Sequence, residues 1–284
     1  MRSGETPLEP ASLHTILAPV MITLGIDVGG TFTDLVVRDS RTGELRSLKT
    51  PTTPPTYADG VMNAIGRTGA APDAIADIAH GMTVATNTAL EMNGAKLGVI
   101  TTRGFRDVLV VGRGNRTTLY DIKAVRPPPL VPRARILEVD ERMTASGEVH
   151  KPLDAAQVAM AAKRLSEMAV EAVAVCFLHS YANPEHERRA AKIVNEAIPG
   201  VPVSVSSDIL PEYREFERFS TTALNAYVGP KVSQYLDRLA NSLTDENINA
   251  PLRIMGSNGG TWSAAAMAAQ PVNAMLSGPA GGGT

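Results

Sequence analysis

The sequence predicts an α/β protein whose central sheets are covered by helices. Strand-like runs of apolar and β-branched residues alternate with amphipathic, helix-like runs along most of the chain. Some of the strand-like runs, "EAVAVCFLH" above all, are continuously apolar, as strands buried on both faces of a sheet are. The chain has 284 residues, 44% hydrophobic and 20% charged, which suits a globular fold of about two ordinary domains.

Composition also excludes classes of function. A formal net charge of -2 gives no electrostatic reason to expect nucleic acid or an anionic membrane as partner. No apolar run approaches the roughly 20 residues of a membrane helix, and no basic segment followed by a small-residue cleavage site opens the chain. The single cysteine, Cys176, lies in an apolar run and reads as a buried structural thiol. A reducing, cytoplasmic setting is the expectation.

Residues 1–20 carry prolines and no clean period; they read as a flexible extension, with Met21 a candidate start. "MITLGID", "TDLVVRD" and "ELRSLKT" then form three consecutive strands, which pair antiparallel. "PTTPPTYADG" leads into a helix over residues 57–67, and "IADIAHG" is a short strand that delivers His80 to its end. "TVATNTALEMNG" is a helix with Thr83 as N-cap and Gly94 as terminator. "KLGVITT" is a strand and "GFRDVLVVG" a helix.

Residues 113–135 are irregular and carry Arg113, Arg116, Lys123, Arg126, Arg133 and Arg135 against Asp121 alone. Such a stretch is either a solvated loop or an electropositive lip over an anionic ligand, and the sequence does not decide between them. "ARILEVDERM" and "GEVHKPL" read as a strand pair bridged by "TASG". Asp154 then caps an amphipathic helix, and Asn183 caps a second one with Pro184 at its first position and Glu185 and Glu187 in its first turn. His179 and His186 flank that start; with no third ligand at metal spacing they read as surface or capping histidines. "VPVSVSS" is a strand, and a helical stretch over 214–243 should kink or break at Gly229-Pro230. "PEYREFER" (Pro211, Glu212, Arg214, Glu215, Glu217, Arg218) reads as a solvated helix start held by i,i+3 and i,i+4 ion pairs. The chain closes with a strand into a glycine turn, "PLRIMGSNGG", and another into Ser277-Gly278-Pro279-Ala280-Gly281-Gly282.

One short stretch concentrates the chemistry. In "DVGGTFTD", Gly29 and Gly30 allow a tight turn and let backbone N–H groups approach an anion, while Thr31 and Thr33 add hydroxyl donors. Asp27, ending the first strand, is placed to hold a hydrated Mg²⁺, and Asp34 to support the turn or the metal shell. A plain Gly-Gly hairpin would explain neither the threonines nor the flanking aspartates.

"GIDVGGTFTD" resembles the first phosphate loop of the actin, sugar-kinase and heat-shock-chaperone ATPase superfamily. "KTPTTP", "HGMTVATNTALEMNGAKLGVITTRGFRDVLVVGR", "LYDI", "PLVPR", "VAVCFLHSYANPEHE", "PEYREFER", "STTALNAYVGPKV", "SNGG" and "LSGPAGG", in that order, resemble motifs of the hydantoinase A/5-oxoprolinase family. The resemblance implies an actin-like (ribonuclease-H-like) first half with an inserted α/β substrate region, incomplete at the C-terminus. It divides the chain into 1–20, an N-terminal domain over 21–205 and the start of a catalytic domain over 206–284. It also implies ATP and Mg²⁺ as cofactors, with phosphorylation of an amide or enolate oxygen as the chemistry. Implied partners are a B-type subunit or domain and a small cyclic amide or ketone, with no nucleic acid and no membrane.

Carried over residue by residue, Asp27, Gly29, Gly30, Thr31, Thr33 and Asp34 take the ATP and Mg²⁺ roles. Ser277, Gly278, Gly281 and Gly282 form a second glycine-rich loop at the cleft. His80, Thr83, Thr86 and Asn87 line the substrate or transfer site, where a strand-end histidine capping the helix is the bland alternative for His80. Met82 stands where the family carries threonine, so no role of that hydroxyl transfers. A second Asp-Gly-Gly-Thr-type loop is expected to follow in the family, which leaves the 284 residues as an N-terminal part, a split subunit or an interrupted frame, and an inert fragment as the opposing reading.

Overall fold

The computed structural model describes residues 21–54, 56–114, 120–121, 123 and 128–277. The expected N-terminal extension, Arg116 and Arg126 of the basic stretch, and Gly278, Gly281 and Gly282 lie outside the described residues.

Three strands, β1 (Ile22–Val28), β2 (Phe32–Asp39) and β3 (Leu45–Pro51), form the expected antiparallel meander. Their alternation buries Leu24, Ile26, Val28, Leu35 and Val37. Helix α1 (Tyr57–Gly66) packs with Ala58, Val61, Ala64 and Ile65 buried in the same core. The chain returns through β4 (Ile75–Met82), parallel to β1, and enters α2 (Val84–Leu90). Gly94 does not end that helix. A Cβ there would lie 2.5 Å from the Tyr227 ring and 2.6 Å from its carbonyl oxygen, so Gly94 is the point where this segment touches a later helix.

A second sheet follows, from β5 (Leu97–Thr102), β6 (Ile136–Val139), β9 (Ala172–Cys176) and β10 (Val203–Val205); β7 (Arg142–Met143) and β8 (Val149–Lys151) form a separate hairpin. Its order is β10-β9-β5-β6 and all its pairings are parallel. "ARILEVDERM" is therefore two strands: β6 joins the sheet and Arg142–Met143 alone pairs with β8. Helix α3 (Val108–Val111) is a single turn, ended by Gly112 at φ 57°. Helices α4 (Ala155–Glu167) and α5 (Glu185–Ala197) cover one face, with Val158, Leu165, Ala190 and Val194 in their core. Asp154 caps α4, its Oδ1 accepting from Gln157 N at 3.0 Å. Asn183 caps from one position further out than expected, with its Oδ1 accepting from Glu185 N at 3.0 Å and Pro184 in the cap position.

After α6 (Ser206–Ile209), helix α7 (Glu215–Asp245) runs for 31 residues and passes through Pro230 without ending. Buried residues on both sides of the proline, Ala226, Tyr227 and Val228 before it and Val232, Tyr235 and Leu236 after it, pack into one core, which outweighs the missing backbone bond. Strand β11 (Leu252–Met255) then pairs parallel to β4, β12 (Thr261–Ser263) closes a hairpin on it, and α8 (Ala264–Ala269) follows. The first sheet thus has the order β12-β11-β4-β1-β2-β3, with the second sheet inserted in sequence between β4 and β11. This is the actin-like α/β arrangement with an inserted α/β region. Residues 271–274, expected as a strand, form a 3₁₀ turn with Pro271 at its start.

The charge run at the start of α7 is not solvated throughout. Arg218 is fully buried: its guanidinium donates to Ser206 Oγ (3.1 Å), Glu212 O (2.8 Å) and Phe177 O (2.8 Å) and lies over the Tyr181 and Phe219 rings. Ser206 Oγ in turn donates to buried Glu187 Oε1 at 2.6 Å, and burial raises the pKa of that carboxyl. His186 is buried rather than on the surface, with Nδ1 2.9 Å from Glu141 Oε2. Glu141 also accepts from the Thr102 hydroxyl. In the basic stretch, Arg113 pairs with Glu217 and Arg133 with Asp107, so these two cations are tied to carboxylates. Cys176 is buried, and burial raises its thiol pKa well above the ordinary value, as expected of a structural thiol.

Candidate functional site

The β1–β2 turn is built by strand register. Asp27 and Asp34 are direct partners across the antiparallel ladder, and their neighbours Ile26, Val28, Thr33 and Leu35 are buried. A period of two therefore turns both carboxylates outward and Thr33 inward. This corrects Thr33: its hydroxyl is 3.2 Å from that of Thr52 beneath the turn and does not face a phosphate. Thr52 donates from Oγ1 to Gly29 O (2.9 Å) and from its N–H to Thr31 O (2.9 Å), bracing the loop from β3. Gly29 also changes role, since its N–H closes the turn on Phe32 O at 3.0 Å. Exposed Gly30 and Thr31 are left as the residues whose N–H groups make no backbone bond among the described residues.

Asp27 lies against Gly81, its ladder partner on β4; a Cβ at Gly81 would come within 3.0 Å of Asp27 Oδ1. Partial burial, and secondarily the charge of Asp34, raise the Asp27 pKa. Asp34 is paired with Lys49 Nζ at 3.1 Å. Among the described residues no basic side chain pairs with Asp27, and no group of three or more His, Cys, Asp or Glu side chains converges as a closed metal site. Two facing carboxylates of which one is unpaired fit a Mg²⁺ that keeps several waters and takes its remaining oxygens from phosphates.

Beside this turn lies a cavity of about 610 Å³, a size suited to a small molecule. Gly30 is at its edge. Its walls are the α2 face Val84, Asn87, Thr88 and Glu91 and the α7 face Lys231, Gln234, Tyr235 and Arg238. Each set has the i, i+3, i+4, i+7 spacing of one helix face. The start of α1 also lines it through Tyr57 and Ala58, and the Tyr57 ring stands edge-on to Tyr235 with ring centroids 6.5 Å apart.

Of the residues expected to line a substrate site, Asn87 lines this cavity. His80 lies one layer behind it: the ring is fully buried, and Nε2 is 2.6 Å from the hydroxyl of Tyr235, which does face the cavity. Burial lowers the His80 pKa to about 4 and raises that of Tyr235. The neutral imidazole positions a wall residue. Thr83 occupies the N-cap position of α2, yet its hydroxyl donates to Val28 O (2.9 Å) and accepts from Asn87 Nδ2 (3.3 Å), tying α2 to the end of β1. Met82 is fully buried, so its position belongs to the core. Thr86 Oγ1 accepts from Leu276 N at 3.1 Å, and buried Ser277 donates to Met82 O at 3.3 Å, which brings the start of the final glycine-rich segment against β4 and α2.

Sequence reasoning missed Gly81, Tyr57, Glu91, Lys231, Tyr235 and Arg238. Their signal was helical spacing on α2 and α7 and ladder register, neither of which a contiguous motif displays.

The family model of the hydantoinase/oxoprolinase N-terminal region matches residues 23–198, and that of hydantoinase/oxoprolinase matches residues 218–284. The chain belongs to the hydantoinase/oxoprolinase family. Among its relatives, caprolactamase subunit alpha of Pseudomonas jessenii is 36% identical over 267 residues, 90% of this chain and 38% of that one. The nucleotide-free structure of acetone carboxylase, from work on ATP-dependent acetone carboxylation, superimposes with a TM-score of 0.82 at 31% identity, covering 94% of this chain and 40% of that chain. The ATP-dependent caprolactamase structure from Pseudomonas jessenii gives 0.80 at 35% identity, covering 91% and 39%. The 284-residue chain thus spans about two fifths of the length of these family members. Among its described residues no helix is long and apolar enough to cross a membrane.

Proposed function

We propose that this chain supplies a phosphate-binding wall and the substrate cavity of an ATP-dependent hydrolase that opens a cyclic amide of hydantoin or 5-oxoproline type by phosphorylating the amide oxygen. The observation that carries the reading is the outward-facing Asp27–Asp34 pair flanking the Gly30-Thr31 turn, with that turn at the edge of the cavity. When bound, Mg²⁺ neutralises charge on the transferring phosphoryl group. Asp27 holds the ion, Asp34 and Lys49 brace the strand pair beneath it, and Gly30 and Thr31 offer N–H donors to the phosphate. Asn87 and Thr83 orient the cavity edge, and His80 fixes Tyr235. Phosphorylation turns a poor leaving oxygen into a good one, so placement and charge neutralisation carry the step. A B-type subunit or domain completes the reaction, a reading supported by the naming of the caprolactamase relative as a subunit. The division of the sequence into regions 21–205 and 206–284 belongs to the same proposal.

The likeness to acetone carboxylase supports a second reading, in which the same carbonyl-oxygen activation serves a ketone. Phosphate release from Mg-ATP by the native assembly, measured with hydantoin, 5-oxoproline or acetone, separates the two. Stimulation by a cyclic amide, abolished by Asp27→Asn, is the expected result. Stimulation by acetone alone favours the ketone reading, and turnover that survives Asp27→Asn removes the metal role and with it the proposal.

A further inference from the structure

We infer that Lys231 and Arg238 pair with the oxygens of the phosphoryl group in transfer, which makes these two cations of α7 catalytic residues. The inference rests on the reading that the Gly30-Thr31 turn binds phosphate and that the reaction is a phosphoryl transfer.

The strand pair that carries the turn brings no unpaired cation to it among the described residues. Lys49 is tied to Asp34 at 3.1 Å, and Asp27 adds a carboxylate directly across the ladder from Asp34. A phosphoryl group in transfer spreads negative charge over its equatorial oxygens, more than two backbone N–H groups and one Mg²⁺ balance. Gly30 of the turn opens onto the cavity, and the cations that line this cavity are Lys231 and Arg238. They lie on one face of α7, two turns apart, with Tyr235 between them. Neither has an ion-pair or hydrogen-bond partner among the described residues, whereas Arg103, Arg113, Arg133, Arg188 and Arg253 are paired with carboxylates. Lys231 is also half-buried. A partly desolvated ammonium facing a cavity without a counter-charge is unfavourable until an anion enters.

In the step itself, a lone pair of the amide oxygen forms the new bond to the γ-phosphorus while the bond to the β,γ-bridging oxygen breaks and its electron pair leaves on ADP. The ring nitrogen shares its own pair with the carbonyl carbon, so the product is an O-phosphorylated iminium and no proton moves. The α7 cations therefore serve by charge alone, Lys231 as a compact ammonium and Arg238 as a planar fork able to take two phosphate oxygens. The acidic residue of the lining, Glu91, accepts from Asn93 Nδ2 at 2.7 Å and lies beyond ion-pair reach of either cation, so it does not neutralise them. Tyr235 is held from behind by His80 at 2.6 Å, which fixes the α7 face on which both cations stand.

Affinity tests the inference apart from activity. Calorimetric titration of the native assembly with Mg²⁺ and either ADP or the non-hydrolysable ATP analogue AMPPNP reads the γ-phosphate as the difference between the two nucleotides. Wild type should prefer AMPPNP. The Lys231→Gln/Arg238→Gln double variant, at unchanged circular dichroism, should bind AMPPNP at least about tenfold more weakly while ADP binding holds, and its kcat should fall. Lys231→Arg/Arg238→Lys, which keeps both charges, should retain the preference. Equal affinity of wild type for the two nucleotides overturns the inference. So does a double variant that keeps the preference, or one whose sole defect is a raised KM for the cyclic amide. Asp27→Asn keeps the two readings apart, since it should weaken Mg-dependent binding of both nucleotides. Dependence on Asp27 without dependence on the α7 cations defeats this inference alone, and Mg-nucleotide binding indifferent to Asp27 defeats the reading beneath it.

Discussion

The Tyr235 hydroxyl lies 2.6 Å from Nε2 of the fully buried His80, while His80 Nδ1 lies toward the Ile26 backbone and closes no full hydrogen bond. Protonating this imidazole is opposed by burial, which sets its pKa at about 4 against an ordinary 6.5. The unfolded chain therefore binds more protons between these values, so the His80 contribution is complete above pH 6.5 and is lost as pH falls to about 4. The loss amounts to about 3 kcal/mol. Buried Glu187, with its raised pKa, works in the opposite sense. The difference between wild type and His80→Gln in urea-melt stability across pH 4 to 7 isolates the histidine, and a flat difference would contradict the assignment.

Tyr235→Phe removes the hydroxyl and leaves a buried imidazole nitrogen without a partner. A cost of about 1–3 kcal/mol is expected from chemical denaturation. Because the ring wall loses its anchor, KM for a cyclic amide should rise in the native assembly while the protein still folds.

Gly81→Ala places a methyl within 3.0 Å of Asp27 Oδ1. The carboxylate can give way by a few tenths of an ångström, so melting should move by only a few degrees, while Mg-ATP turnover falls at least about tenfold through the displaced ligand. Unchanged turnover would show that the position of Asp27 does not matter.

Arg218→Ala should cost about 3–5 kcal/mol in denaturant unfolding, because three acceptors lose a buried charged donor and Glu187 loses the cation beyond Ser206. Arg218→Met, which refills the volume, should recover part of that loss.

Gly94→Ala drives a methyl into the Tyr227 ring and carbonyl. Overpacking against backbone allows little relief, so a loss of about 1–3 kcal/mol is expected in the same assay.

The meander, the parallel strands and the capped helices were legible because each follows a local rule: alternation in β1 and β2, continuous burial in β9, the Asp154 carboxylate at the start of α4. The turn motif likewise showed which residue types gather at the end of β1. It could not show that Thr33 points inward, since that follows from counting the register from Asp27, nor that Gly29 consumes its own N–H. Arg218 was read as solvated, His186 as a surface or capping histidine and Glu187 only as a first-turn acid, yet each sits on the buried stripe of its helix, Arg218 in line with Thr222 and Asn225 and Glu187 with Ala190, Ala191 and Val194. The α2–α7 cavity needed residues far apart in sequence to be brought face to face, and no local signal encodes that pairing.

The placement of β11 bears on the order in which the molecule forms. The inner edge of β4 meets its last neighbour only after the whole inserted sheet and α7 have been made. On a ribosome the inserted sheet can close from its own contiguous segments, while β4 presents unpaired backbone groups until Leu252–Met255 emerges. His80, opposite Ile254 in that ladder, is sealed at this late stage. The wall of the cavity is thus set by a strand that arrives only after the inserted sheet and α7.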